Sequence, residues 1–277
     1  MAAIDPFVTA DWLKANRRNP DIVIVDCRWY LDGPAPSVVY DAGRIAGAVL
    51  VDLDTDLSAP PGKEGGHPLP TPAQFAAAMR RIGVSDDSHV IAYDDFGGVI
   101  AGRLWWLLDS FGVRCSVLAG GFQSWDGPVD AGPHPRCAPG TFTERDFPKA
   151  RFATADDVAG RGRDVLLVDS RAPARFKGEP GGDYPRYGHV PGAVNVYAYA
   201  NFVDQQDWAL HADETLQAQF ARAGVAATDR PIITYCGSGV SACMNLLVLR
   251  KLGFENLSLY TGSFSEWGAD YARPIEV

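Results

Sequence analysis

Five segments of this chain recur in the same order, roughly 140–145 positions apart, which restricts the fold to two copies of one plan. IVIVDCRW (22–29) returns as VLLVDSRA (165–172), and GRIAGAVLVDLD (43–54) as GHVPGAVNVYAY (188–199). MRRIGV (79–84) returns as FARAGV (220–225), VIAYDDFGGVIAGRLWWLL (90–108) as IITYCGSGVSACMNLLVL (232–249), and GGFQSW (120–125) as GSFSEW (262–267). Between the copies, 127–150 is rich in proline and glycine and has neither helical nor strand periodicity, as expected of an interdomain linker. The expected domains are 1–127, with Asp94 standing where the second copy has Cys236, a linker over 128–150, and 151–277.

Each copy alternates short apolar β runs with amphipathic helical segments. In the second copy the runs are VLLVD, AVNV, IITY and LSLY, separated by helical patterns near 213–224, 240–252 and 262–270. Strands and helices alternating in this way build parallel sheets covered by helices on both faces. The expected class is therefore α/β, with a mainly parallel sheet in each domain. Ligands of such sheets sit beyond the carboxyl ends of the strands, which is where Cys236 falls. Since one copy keeps a cysteine and the other an acid, a single active site is expected, with the first domain as wall and scaffold.

Composition narrows the partners. The 277 residues are 47% hydrophobic and 21% charged, an ordinary globular balance. A net charge of −9 argues against a general binder of nucleic acid or anionic membrane, both of which need a basic surface. The N-terminal stretch MAAIDPFVTADWLK lacks a basic segment followed by an apolar core, and no run of about 18 apolar residues occurs, so a soluble cytoplasmic protein is expected. The five cysteines (27, 115, 137, 236 and 243) are odd in number and show neither CxxC nor Cys/His metal spacing.

Cys236 enters a Gly-rich turn that opens directly into a helical pattern. The thiolate is the reacting form of a cysteine, and backbone N–H groups converging at a helix N-terminus favour it. Gly237 and Gly239 let the loop curl without Cβ clashes, so that the amides of 237–241 can face the sulfur. A small buried cysteine on a βα turn is the simpler use of such a residue. The flanking glycines and the strand-to-helix setting favour a nucleophile.

With the duplicated plan, the VD-x-R and GH-x-PGA motifs and YCGSGVSA, the chain closely resembles the two-domain rhodanese-type sulfurtransferases over essentially its whole length. The loop Cys236-Gly237-Ser238-Gly239-Val240-Ser241 is similar to the CGSGVT of the 3-mercaptopyruvate branch, with Ser241 keeping the hydroxyl of the usual threonine. Thiosulfate-using relatives carry basic residues in the loop, as in CRKGVT, and this loop has none. The resemblance implies tandem rhodanese-like domains and no cofactor or metal. It also implies a sulfur atom taken from 3-mercaptopyruvate onto Cys236 as a persulfide, with release of pyruvate. The sulfur then passes to a thiol, a thioredoxin-like protein or cyanide.

The same resemblance supplies the other site residues. Arg175 and Arg186 stand at motif positions whose arginines bind the carboxylate and keto groups of the donor, a task for which the planar guanidinium fork is suited. The loop itself offers Gly237, Gly239, Val240 and Ser241 as substrate-binding residues through their amides, and the resemblance implies a proton relay of Ser238 with His67 and Asp54 of the first domain. Without the motif match these residues have plainer uses: a solvated loop arginine, a serine donating to backbone, a surface histidine and a turn-capping aspartate.

Other repeated residues carry less chemistry. Asp26–Arg28 and Asp169–Arg171 occur in both copies, including the one without the cysteine, which suggests strand-end ion pairs. His189 is expected as a hydrogen-bonded turn residue, replaced by Arg44 in the first copy, while Trp105, Trp106, Trp125 and Trp267 pack the core and the domain interface. Cys243, about two helical turns past Cys236, is expected in the core, where it could pair with Cys236 only if the loop moved. Three alternatives stay open: a thiosulfate:cyanide sulfurtransferase, a cysteine phosphatase, and a non-catalytic binding or regulatory module. The phosphatase loop requires C-x5-R, and the sixth residue after Cys236 is Ala242. The expected partners are a small-molecule donor and a thiol acceptor, with no nucleic acid or membrane; a monomer is favoured and the oligomeric state stays open.

Overall fold

Apolar runs bounded by capping residues become strands and helices where the repeat places them. The computed structural model describes residues 5–133, 137–181 and 184–277. Residues 1–4 of the expected first domain, 134–136 of the expected linker and 182–183 of the segment before Arg186 lie outside the described residues. The chain divides into two units: Met1–Ala59 with Pro70–Phe147 and Asp204–Leu210, and Pro60–Leu69 with Pro148–Val203 and His211–Val277. Residues 60–69, which the sequence places in the first domain, therefore belong to the unit that contains Cys236.

In the first unit the order is β1 (Phe7–Val8), α1 (Ala10–Asn16), β2 (Ile22–Asp26), α2 (Pro36–Ala42), β3 (Arg44–Ile45), β4 (Val49–Leu50), α3 (Pro72–Arg81), β5 (His89–Tyr93), α4 (Ala101–Ser110), β6 (Arg114–Leu118) and β7 (Val129–Asp130). The main sheet runs β1-β6-β5-β2-β4 with every pairing parallel. Strand β7 pairs antiparallel with β3, so the start of the expected linker is held as a short strand.

The second unit contains β8 (Phe152–Ala153), α5 (Ala155–Ala159), β9 (Leu166–Asp169), α6 (Pro173–Phe176), β10 (Val194–Asn195), α7 (Asp213–Arg222), β11 (Ile232–Tyr235), α8 (Ala242–Lys251), β12 (Leu257–Tyr260) and α9 (Ser263–Ala269). Its sheet, also parallel throughout, runs β8-β12-β11-β9-β10. Strand for strand this is the order of the first sheet, the three-dimensional counterpart of the repeated motifs.

Local chemistry explains the element ends. The Thr9 and Thr71 hydroxyls accept the N–H groups of Trp12 and Gln74 at the starts of α1 and α3, and Thr154 forms a capping box with Asp157 at α5. The helices that follow the central strands differ: α4 and α8 have no side-chain cap from the residue before them. Their N-termini face the loops that carry Asp94 and Cys236. The central strands β5 and β11 are almost entirely buried, as a sheet covered on both faces requires.

The repeated ion pairs close the strand ends. Arg171 donates through Nε and Nη2 to Asp169, at 3.0 and 2.5 Å, and on to the Gly188 carbonyl. Arg28 does the same with Asp26 and the Gly43 carbonyl. Both pairs are buried, a placement that suits a structural part. His189 stacks on Phe176 with ring centroids 3.7 Å apart, and its Nδ1 bonds the Phe176 carbonyl. Trp125 and Trp267 each join the apolar core of their own unit, and Trp105 and Trp106 are buried on α4. Among the described residues no helix is long and apolar enough to cross a membrane.

Candidate active site

Cys236 leaves the carboxyl end of β11 with only 2% of its surface exposed. The Gly239 N–H donates to its Sγ at 3.2 Å. The loop is stapled to the start of α9 by both of its edges. The Cys236 N–H donates to Ser263 Oγ, which in turn donates to the Tyr260 carbonyl. The Cys236 and Gly237 carbonyls accept the N–H groups of Phe264 and Ser265. Gly239 has φ +77°, and a Cβ there would lie 2.3 Å from the Thr261 carbonyl oxygen, so only glycine fits. Val240 is buried and Ser241 sits just before α8, its hydroxyl capping nothing there. Cys243 is buried within α8, its thiol donating to the Gly239 carbonyl.

The first copy displays what such a loop can hold. The buried Asp94 carboxylate accepts four backbone N–H groups: Phe96 and Gly98 on Oδ1 at 2.9 and 2.7 Å, Ile100 and Ala101 on Oδ2 at 2.7 and 2.8 Å. Burial pushes the Asp94 carboxyl above the usual carboxylate range, and the four amides pull against it. This turn is thus an anion cradle already filled by its own side chain. In the second copy the acid is replaced by a sulfur, and the turn is one residue shorter: Ala242 is the sixth residue after Cys236, whereas Ala101 is the seventh after Asp94.

Ser238 and His67 meet. Ser238 Oγ and His67 Nδ1 are 2.8 Å apart, the hydroxyl donating when Nδ1 is unprotonated. The segment bearing His67 is held by a two-bond bridge between Gly62 and Gly65 and by the Gly66 N–H, which donates to Ser265 Oγ at 2.9 Å. Asp54 has a partner within its own unit: its exposed carboxylate accepts Trp29 Nε1 at 2.7 Å.

The two arginines are used differently. Arg175, half-buried at the end of α6, makes a long 3.4 Å contact to the Glu179 carbonyl, and its guanidinium lies over Gly181. Arg186 donates to four backbone carbonyls at and beyond the end of α9: Gly268 through Nε, Arg273 through Nη1, and Trp267 and Asp270 through Nη2. Four of its five N–H groups are thus engaged by carbonyls of the last turn of α9 and of the turn that follows it. One N–H of Arg186 stands outside these four bonds.

Three residues of the site were not singled out from sequence. Ser263 and Ser265 brace the loop and the His67 segment; their signal was the recurrence of GGFQSW as GSFSEW. Tyr184 had no signal beyond its place in DYPR, yet its hydroxyl lies beside Gly237: a Cβ on that glycine would come within 2.3 Å of the phenolic oxygen.

Comparison with known proteins shows the family. The rhodanese-like domain model matches the chain twice, over residues 9–127 and 154–270. The 3-mercaptopyruvate sulfurtransferase of Escherichia coli K12 is 38% identical over 287 residues, covering 98% of this chain and 97% of that protein. A thiosulfate/3-mercaptopyruvate sulfurtransferase of Arabidopsis thaliana is 31% identical over 307 residues, covering 98% of this chain and 78% of that protein. Among solved structures, 3-mercaptopyruvate sulfurtransferase from Leishmania major superimposes with a TM-score of 0.86 at 28% identity, covering 97% of this chain and 75% of that one. The chain belongs to the rhodanese-like domain family and carries two copies of that domain.

Proposed function

We propose that this protein is a 3-mercaptopyruvate sulfurtransferase with Cys236 as the sulfur carrier. The observation that carries the choice of donor is the Ser238–His67 hydrogen bond beside a loop without a basic residue. Thiosulfate brings two negative charges and no proton, so a site for it needs cations at the sulfur. Mercaptopyruvate brings a thiol proton that must end on carbon, so a site for it needs a proton carrier.

In the first half-reaction the Cys236 thiolate attacks the donor sulfur. The S–S bond forms, the C–S bond breaks, and its electron pair passes into the enolate of pyruvate. The proton of the donor thiol is delivered through Ser238 and His67 to the enolate carbon, which leaves pyruvate and a perthiolate on Cys236. The amides of Gly237, Ser238, Gly239, Val240 and Ser241 hold that anion as the first copy holds the Asp94 carboxylate. In the second half-reaction an acceptor thiolate takes the outer sulfur and Cys236 returns as thiolate, a ping-pong cycle.

The donor carboxylate falls to Arg175, whose guanidinium makes one long carbonyl contact among the described residues. Arg186 contributes its charge and the single N–H left after four carbonyls. Asp54 enters the relay on the family resemblance alone. Catalysis is assigned to 151–277 together with the His67 segment, with 1–127 as the non-catalytic copy and 128–150 as the linker. A cytoplasmic monomer passing sulfur to a thiol or thioredoxin-like acceptor fits the acidic composition.

Turnover on the two donors is the test. Pyruvate released from mercaptopyruvate and sulfite released from thiosulfate are measured with the same acceptor. A kcat/KM at least about tenfold higher for mercaptopyruvate is expected, a difference of about 1.4 kcal/mol in transition-state stabilisation. The reverse preference would make the protein a thiosulfate:cyanide sulfurtransferase.

A further inference from the structure

Tyr184 is a polar side chain at the Cys236 loop to which the mechanism above gives no task. Its ring is half-buried and packs edge-on against Phe264, with centroids 5.4 Å apart and planes at 86°. Phe264 is itself fixed to the loop, since its N–H donates to the Cys236 carbonyl at 3.0 Å. The phenol is therefore positioned by the same element that positions the cysteine. Its oxygen occupies the space a side chain at position 237 would need, 2.3 Å from where a Cβ would stand. Glycine at 237 thus admits a hydroxyl to the turn beside the nucleophile.

That hydroxyl makes no hydrogen bond among the described residues, although its ring is packed into the core of the unit. Burial, and secondarily the neighbouring Cys236 sulfur, raise its pKa, so the phenol stays protonated and can only act as a donor toward an anion. It does not bond Sγ in the sulfur-free protein. A persulfide adds a second sulfur about 2.05 Å from Sγ, in a turn that the Tyr184 hydroxyl borders at Gly237.

We infer that Tyr184 donates its phenolic hydrogen to the outer sulfur of the Cys236 persulfide, making it a catalytic residue that recognises the sulfur-loaded state of the protein and not the empty one. This rests on the reading of Cys236 as the sulfur carrier. No bond is made or broken by the tyrosine. It holds the perthiolate charge on the atom that the acceptor will take, adding one side-chain donor to the backbone amides of the loop.

The test uses Tyr184→Phe, which keeps the ring and its packing on Phe264, with Gly237→Ala as an independent variant whose Cβ displaces the phenol. Each protein is loaded with mercaptopyruvate, loading is verified by intact mass, and the near-ultraviolet absorbance of the perthiolate is titrated against pH. The titration midpoint is expected to rise by about one unit or more in both variants, the shift that follows from losing one hydrogen bond to a charged group. Alkylation of the sulfur-free Tyr184→Phe protein is expected to proceed within about twofold of wild type, since the phenol does not bond Sγ. Loaded variants that titrate with the wild-type midpoint would overturn the role of Tyr184 while leaving the carrier reading intact. A wild-type protein that acquires no sulfur would overturn both.

Discussion

Ser238 and His67, 171 positions apart in sequence, share a 2.8 Å hydrogen bond, and Ser265 holds them in register by accepting the Gly66 N–H. If this pair delivers the proton to the pyruvate enolate, Ser238→Ala and His67→Ala should each lower kcat on mercaptopyruvate by about 10²–10⁴-fold, the usual contribution of a positioned acid–base group. Steady-state pyruvate release checks this. Full turnover in either variant would remove the pair from the mechanism.

Gly239 should be irreplaceable for a reason that a paired substitution can isolate. Gly239→Ala combines a left-handed φ of +77° with a Cβ 2.3 Å from the Thr261 carbonyl oxygen, whereas Gly253→Ala has a φ of +87° and open space. Gly253→Ala should cost about 1–2 kcal/mol, the price of left-handed backbone alone. Gly239→Ala should cost more and slow alkylation of Cys236 at least about tenfold, because the amide that donates to Sγ is displaced. Urea denaturation and timed alkylation measure the two effects.

The buried Arg171–Asp169 pair should behave as structure. Arg171→Ala leaves a buried carboxylate without its cation and should lower stability by about 3–5 kcal/mol in urea denaturation. The surface pairs of Lys14 with Asp11 and Asp126 are the control, and Lys14→Ala should shift stability by no more than about 1 kcal/mol.

Asp94 supplies a pH signature opposite to that of most acids. Its carboxyl is raised by burial against the pull of four amides, so the folded protein binds this proton more tightly than the unfolded chain. Its contribution to stability is therefore fully present below the ordinary carboxylate value of 3.8 and declines as pH rises through the raised folded value. The stability of wild type minus that of Asp94→Ala should accordingly shrink as pH is increased from about 4. A difference that grows with pH would contradict the assignment.

Much of the fold was legible because the repeat appears in motifs that span whole strand–turn–helix units. IITY and VIAY became β11 and β5, and the two sheets share one strand order. The Cys236 turn was legible from its glycines, since the φ of Gly239 is a local property. What escaped depends on contacts between distant segments. The run of prolines and glycines that begins at Pro60 marks a loop but not which unit it joins; the Gly66–Ser265 hydrogen bond does that work across 199 positions. Likewise Arg186 showed a cation in a motif, but not that the last turn of α9 and the turn after it would present four carbonyls to it. Tyr184 reaches Gly237 from 53 positions upstream, a proximity that tertiary packing on residues such as Phe264 creates.

The central claim is that Cys236 carries sulfur. Incubation with 3-mercaptopyruvate followed by intact mass should show a gain of about 32 Da, one sulfur atom, together with one equivalent of pyruvate, and both should vanish in Cys236→Ser. No gain in mass, or the same gain in Cys236→Ser, would contradict the account.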